Sequence, residues 1–170
     1  MGSAYIGIDP GSPLYMAMVS PRGRWVAHAG EDQFAVKAKR GVTNSPEAFV
    51  KVLRDWSGYY AKKGVQVEVV IENVGPRPGE GIISASRFAG SVWMARGATL
   101  ALGLPYTMVT PQVWKRHYKI KSDKEFARDL AKKLFPSRAW RLQYKKDHNY
   151  AEAALLARYL WEVRNTVTGV

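Results

Sequence analysis

The run VQVEVVIEN at residues 65–73 decides the fold. It is almost continuous in valine and isoleucine, which predicts a central strand buried on both faces. Gly64 precedes it, and a loop rich in glycine and proline (residues 75–83) follows. Glu72 therefore stands where the strand ends. Working outward, YIGID at residues 5–9 alternates in polarity and stops at Pro10 and Gly11, so it reads as a strand closed by Asp9. Residues 14–20 and 25–28 read as two more strands, turned at Pro21, Arg22 and Gly23. Three strands with connections this short form an antiparallel meander.

Helix signals fill the gaps. Ser45, Pro46 and Glu47 supply a cap, a proline in the first turn and an early acid. Phe49, Val50, Leu53, Trp56 and Tyr60 then share one face. An alanine- and glycine-rich helix is predicted over residues 84–102 and a short strand over 106–110. Ser122 with Glu125 forms a capping box for a helix that stops before Pro136, with Phe126, Leu130 and Leu134 as its core face. A last helix is predicted over residues 148–163. The order is three strands, helix, strand, helix, strand, helix, helix. It predicts an α/β fold: a five-stranded mixed sheet, three antiparallel then two parallel strands, flanked by helices. The 170 residues contain no internal repeat or long linker and read as one domain spanning 1–170.

Composition narrows the partners. Lysine and arginine number 26 against 14 acids, a formal charge of +12, so a polyanion is expected. Residues 113–146 hold 12 basic and 3 acidic residues and carry most of that excess. Trp114, Tyr118, Phe126, Trp140 and Tyr144 are interleaved there. Cations with aromatics suit phosphate neutralisation and base stacking. The sequence has no cysteine, which excludes disulfides and Cys-ligated zinc. No apolar run is long enough to span a bilayer, and no basic-then-apolar leader opens the chain. The expectation is an intracellular protein with no membrane partner: cytoplasmic, in the host cytoplasm if viral, or in an organelle.

Acids are scarce in so basic a chain, so their placement is informative. Asp9 and Glu72 both close strands. If those strands are parallel neighbours, both carboxylates emerge at the sheet edge where α/β proteins bind ligands. Asp147 and Glu152 flank the start of the last helix, and His148 shares a face with Glu152. Carboxylates gathered in this way repel one another, and divalent cations relieve the repulsion. A pair of magnesium ions could then drive phosphoryl displacement. Each residue also has an ordinary reading: Asp9 as a turn residue, Glu72 as an arginine partner, Asp147 as a helix cap, Glu152 as a solvated helix residue.

These elements resemble the RuvC-type Holliday junction resolvases of the RNase H-like superfamily, especially the phage and organelle members. IGIDPGS resembles their first strand and VVIENV their central strand. RPGEGIISASRFAGSVWMARGA resembles their loop and dimer-interface helix. LPYTMVTPQVWKRHY resembles their fifth strand and its V-x-P-x-x-W-K element, and KKDHNYAEAALLARY their final helix. The resemblance spans residues 4–163. One departure stands out: Asn149 occupies the position three before Glu152, where bacterial members usually carry an acid.

The resemblance implies a crossover junction endodeoxyribonuclease, a homodimer that nicks opposite strands of a four-way DNA junction. It implies two Mg2+ ions per site, with Mn2+ able to substitute, and no small-molecule cofactor. The implied catalytic residues are Asp9, Glu72, Asp147 and Glu152, with His148 competing with Asp147 as a metal ligand. The implied DNA contacts are Arg77, Lys115, Arg116, Lys119, Lys121, Arg138, Arg141, Lys145 and Lys146. Two other readings stay open: a branched-DNA-binding module that does not cut, and an RNase H-like nuclease for flaps or RNA–DNA hybrids.

Overall fold

The computed structural model describes residues 2–39, 41–75, 79–120 and 124–167. The predicted strands are β1 (Ala4–Asp9), β2 (Tyr15–Val19), β3 (Trp25–Ala29), β6 (Val67–Glu72) and β7 (Tyr106–Val109). They form one sheet in the order β3-β2-β1-β6-β7. β1–β2 and β2–β3 pair antiparallel, whereas β1–β6 and β6–β7 pair parallel. The mixed sheet is thus the predicted one, with the valine-rich strand inside it.

Side-chain alternation assigns the two faces of the sheet. Ala4, Ile6 and Ile8 of β1 join Val67, Val69 and Ile71 of β6 in one core. Helix α2 (Pro46–Ala61) covers that core with Phe49 and Leu53, and α3 (Ile82–Ala101) adds Ala95. Ser45 caps α2 as predicted, its Oγ accepting from the Ala48 nitrogen at 3.2 Å. Tyr5 and Val70 point to the opposite face, against α6 (His148–Val167). Gly7 lies on that same face. A Cβ there would overlap the Ala153 carbonyl oxygen and approach the Ala157 nitrogen to 2.6 Å. Only glycine lets β1 and α6 come so close.

Helix α6 is apolar on most of its circumference because it is covered twice. The sheet lies on one side and α5 (Lys124–Leu134) on the other. This corrects one expectation. Phe126 is 47% exposed, and Ala127 and Ala131 occupy the core instead, with Leu130 and Leu134 partly buried. Small residues face the alanine-rich α6, so α5 is turned relative to the predicted face. The cap expected at Ser122 lies outside the described residues.

Several elements go beyond the sequence expectation. A short helix α1 (Glu31–Phe34) leads into a two-stranded ribbon of β4 (Ala35–Lys37) and β5 (Val42–Asn44). Helix α4 (Pro111–His117) follows β7, and two 3-10 helices, Pro136–Leu142 and Lys145–Asp147, lead into α6. Among the described residues, no helix is long and apolar enough to cross a membrane.

The Gly7 contact yields a direct test. Gly7→Ala should cost about 3 kcal/mol by overpacking and lower the Tm by about 6–12 °C. Thermal unfolding followed by circular dichroism reads this, and an unchanged Tm would refute the close-approach argument.

Candidate active site

The β1–β6 register sets Ile8 beside Ile71, so the next residues, Asp9 and Glu72, leave the sheet side by side. Alternation turns both toward the face that α6 covers. α6 runs back along β6: Arg164 near its end donates to Glu68 at 2.9 Å, so its first turn sits over the end of β6. That turn carries His148 and Glu152. Asp9, Glu72, His148 and Glu152 all line one cleft of about 650 Å³.

The turn after Asp9 is held in place by residues distant in sequence. Asn44 Nδ2 donates to the Gly11 carbonyl at 2.7 Å and to Ser91 Oγ at 3.1 Å. Its Oδ1 accepts from the Leu14 nitrogen at 2.8 Å, and Ser91 Oγ also donates to the Gly11 carbonyl at 2.8 Å. The β4–β5 ribbon and α3 therefore fix the loop that carries Asp9.

Glu72 is only 7% exposed, and Trp114 Nε1 donates to its Oε1 at 2.8 Å. That bond orients the carboxylate at the wall of the cleft. Trp114 is fully buried on α4, whose start is marked by Thr110 and Pro111. Proline in a first helical turn was the available signal for α4. Nothing in the sequence signalled the indole–carboxylate bond. The next residue, Lys115, donates to Glu152 Oε1 at 2.9 Å. Lys115 thus lies inside the cleft as well as in the basic segment.

His148 Nδ1 lies 3.0 Å from the Lys145 carbonyl oxygen. A carbonyl only accepts, so Nδ1 carries the hydrogen, and in the neutral ring the Nε2 lone pair is left to act as a ligand. Asp147 is placed elsewhere. It is buried, accepts from Arg141 Nη1 at 3.2 Å and from the Tyr144 nitrogen at 2.8 Å, and lines a separate pocket with Tyr15 and Tyr150. Of the two competitors for the fourth position, His148 is in the cleft and Asp147 is not. The reason is local: Asp147 closes the 3-10 turn that precedes α6.

A scan against protein-family models matches none, and a search of curated proteins finds no match. Solved structures do match. RuvC of Thermus thermophilus in complex with a Holliday junction substrate superposes with a TM-score of 0.63 at 15% identity, over 96% of both chains. A second structure of that RuvC gives 0.58 at 16% identity, again over 96% of both. The yeast mitochondrial Holliday junction resolvase Ydc2 gives 0.58 at 14% identity, over 98% of this chain and 80% of its own. The chain therefore has the fold of these RuvC and Ydc2 structures, a mixed five-stranded sheet flanked by helices.

Apart from Lys115, the basic residues expected at DNA divide into three groups. Arg116, Lys119, Lys145 and Lys146 are exposed. Arg138 and Arg141 are engaged within the protein, Arg138 with the carbonyls of Trp25 (3.2 Å) and Val26 (2.6 Å), Arg141 with Asp147. Both were expected as DNA contacts, and both guanidinium groups have partners within the chain. Arg77 and Lys121 lie outside the described residues.

The cleft is lined by four carboxylates, those of Asp9, Glu72, Glu152 and Glu80, the last of which the sequence reading did not single out, and by the His148 imidazole. Hard oxygen donors of this kind fit magnesium or manganese. Among the described residues, no three His, Asp or Glu side chains already stand close enough to hold an ion. The Lys115–Glu152 pair draws one of the carboxylates toward a cation of the chain itself.

Beside Asp147, Arg141 Nε meets His28 Nε2 at 3.2 Å. Burial first, then the charges of Arg141 and Arg138, push the His28 pKa down to about 4, with Asp32 opposing. The unfolded chain takes up that proton near pH 6.5 and the folded chain only near 4. The resulting stability is present above pH 6.5 and is lost as pH falls through 4. The His28 ring signals in an NMR titration should therefore move near pH 4. A midpoint near 6.5 would show that burial and Arg141 do not act on this ring.

Proposed function

We propose that this protein is a divalent-metal-dependent endonuclease that resolves four-way DNA junctions, acting as a homodimer. One observation carries the reading: carboxylates from the ends of two parallel strands share a cleft with the first turn of α6, beside the most basic segment of the chain. The RuvC-type fold supports it.

Asp9, Glu72, Glu152 and His148 would hold magnesium or manganese, two ions per site. Bound there, the ions would supply charge neutralisation and an activated water for phosphodiester hydrolysis. The chain's own residues bind and orient. Trp114 fixes the Glu72 carboxylate, and the Lys145 carbonyl fixes the His148 ring. Lys115 places a positive charge at the cleft wall, where it can meet a phosphate oxygen as that oxygen gains charge. Arg116, Lys119, Lys145 and Lys146 present charges to the DNA backbone, which is read by shape more than by sequence.

Helix α3 supports the homodimer. Trp93 is 65% exposed and Leu100 61%, one heptad apart on the same face. Gly90 and Gly97 lie on that stripe with open space where a Cβ would stand, so a second helix could approach closely. A two-fold pairing would present two identical clefts to two opposed strands.

A second reading has its own observation. The ion pair of Lys115 with Glu152 suits a protein that grips branched DNA without cutting it. Incubating a labelled four-way junction with the protein and Mg2+ separates the two. Paired symmetric nicks support the nuclease, and intact junctions under saturating binding support the binding module.

Glu72→Gln should lower the cleavage rate at least about a hundredfold, with junction affinity kept within about twofold. Parallel loss of both would remove Glu72 from the metal-holding role. Arg116→Glu with Lys119→Glu should weaken junction binding and reduce the slope of log affinity against log salt by about two to four. An unchanged slope would place α4 and its C-terminal turn outside the DNA interface.

A further inference from the structure

We infer that Trp140 and Tyr144 form a stacking platform for unpaired nucleotides, next to the cleft but outside it. The inference rests on the nucleic-acid part of the proposed function and is independent of cleavage.

Trp140 is 59% exposed and Tyr144 66% exposed. Both project from a segment that is held firmly. Leu142 between them is buried. Arg138 ties the 3-10 helix to the edge strand β3 through two carbonyls, and the guanidinium of Arg141 lies 3.8 Å over the Tyr150 ring. The Tyr144 nitrogen donates to Asp147. One edge of the Trp140 ring meets His28, at 6.2 Å between centroids and 67°, and most of the ring remains in water. Two large rings are thus displayed on a backbone with little freedom left to lose, which favours binding of a flat partner.

The surroundings choose the partner. The exposed neighbours along this segment are Pro136, Ser137, Gln143, Lys145 and Lys146, so Pro136 is the one apolar side chain among them besides the rings. A bilayer or an apolar protein face would find little more than the rings. A single strand offers both what the rings stack on and what the lysines neutralise. Glu31 and Asp32 line the small pocket beside Tyr144 together with Lys146. Those acids repel phosphates, so the strand's backbone lies on the Lys145 side and its base edges face the pocket. Paired bases are already stacked in a duplex and have no face to offer. The platform therefore selects unpaired nucleotides, such as those at an opened branch point.

Its position suits delivery to the cleft. Tyr144 precedes His148 by four residues of mainly 3-10 backbone, a rise of about 8 Å. A strand stacked on the two rings is led along the start of α6 toward Asp9 and Glu72.

The test uses the intact protein in EDTA, so that no cutting intervenes. The probes are a mixed-sequence 12-nucleotide DNA carrying 2-aminopurine, its duplex, and a four-way junction. Trp140→Ala should weaken single-strand binding about tenfold and abolish the quenching of 2-aminopurine seen with the unaltered protein. Trp140→Phe should restore most of both, and Tyr144→Ala should act in the same direction. Duplex affinity should stay within about twofold, and matched unfolding curves check the fold. Unchanged single-strand affinity and quenching in Trp140→Ala would overturn the platform and leave the rings to a protein contact. An equal loss of duplex affinity would overturn it in favour of a phosphate site. A junction that is bound but never cut with Mg2+ would sink the nuclease reading alone, because the single-strand assay needs no metal.

Discussion

The contact between β1 and α6 at Gly7 governs the rest of the molecule. Backbone meets backbone there, with no room for a side chain. Because the contact is so close, the position of α6 over the sheet is defined by covalent geometry more than by adjustable side chains. The first turn of α6 is then bound to stand over the ends of β1 and β6. Glu72 and Asp9 leave the sheet at those ends, and Glu152 and His148 come down to meet them. A single small residue in a strand thereby sets the spacing of a site two residues further along that strand.

Electrostatics works on top of that frame. The protein carries a large positive excess, yet it gathers acids at one end of its sheet. Such a grouping is unfavourable without cations. The fold answers partly with its own, placing Lys115 on Glu152 and the Trp114 indole N–H on Glu72. Asp147 is neutralised separately by Arg141, away from the cleft. The acids of this region thus fall into two classes by place: Asp147 in its own pocket beside Arg141, the others along the cleft.

Much of the architecture was legible in the sequence. The valine-rich run, the Asp9 turn and the Ser45-Pro46-Glu47 start each combine a hydrophobic period with a stop or cap signal, and all three stand as read. The strand-end logic that paired Asp9 with Glu72 rests on parallel neighbours, which the topology provides. What escaped is what depends on non-local contacts. The ribbon of β4 and β5 has two strands of three residues each, too short for a periodic signal. The face of α5 departs from the expected one because size alone favours Phe126, whereas the alanine-rich α6 takes Ala127 and Ala131, with Leu130 and Leu134 beside them. The choice between Asp147 and His148 could not be read from spacing, since both stand at the helix start. It turns on one hydrogen bond to the Tyr144 nitrogen and one contact from Arg141.

The Asn44 clamp has a mechanical consequence. Asn44 and Ser91 join the ribbon, the helix α3 and the Asp9 turn through a few short polar contacts. Ser91 sits only two residues from Trp93, on the helix whose outer face is open. Helix α3 thus reaches the cleft in two ways, through the Ser91 hydroxyl on the Gly11 carbonyl and through Phe88 in the cleft wall. A partner seated on its outer face would bear on the loop of the first carboxylate by both.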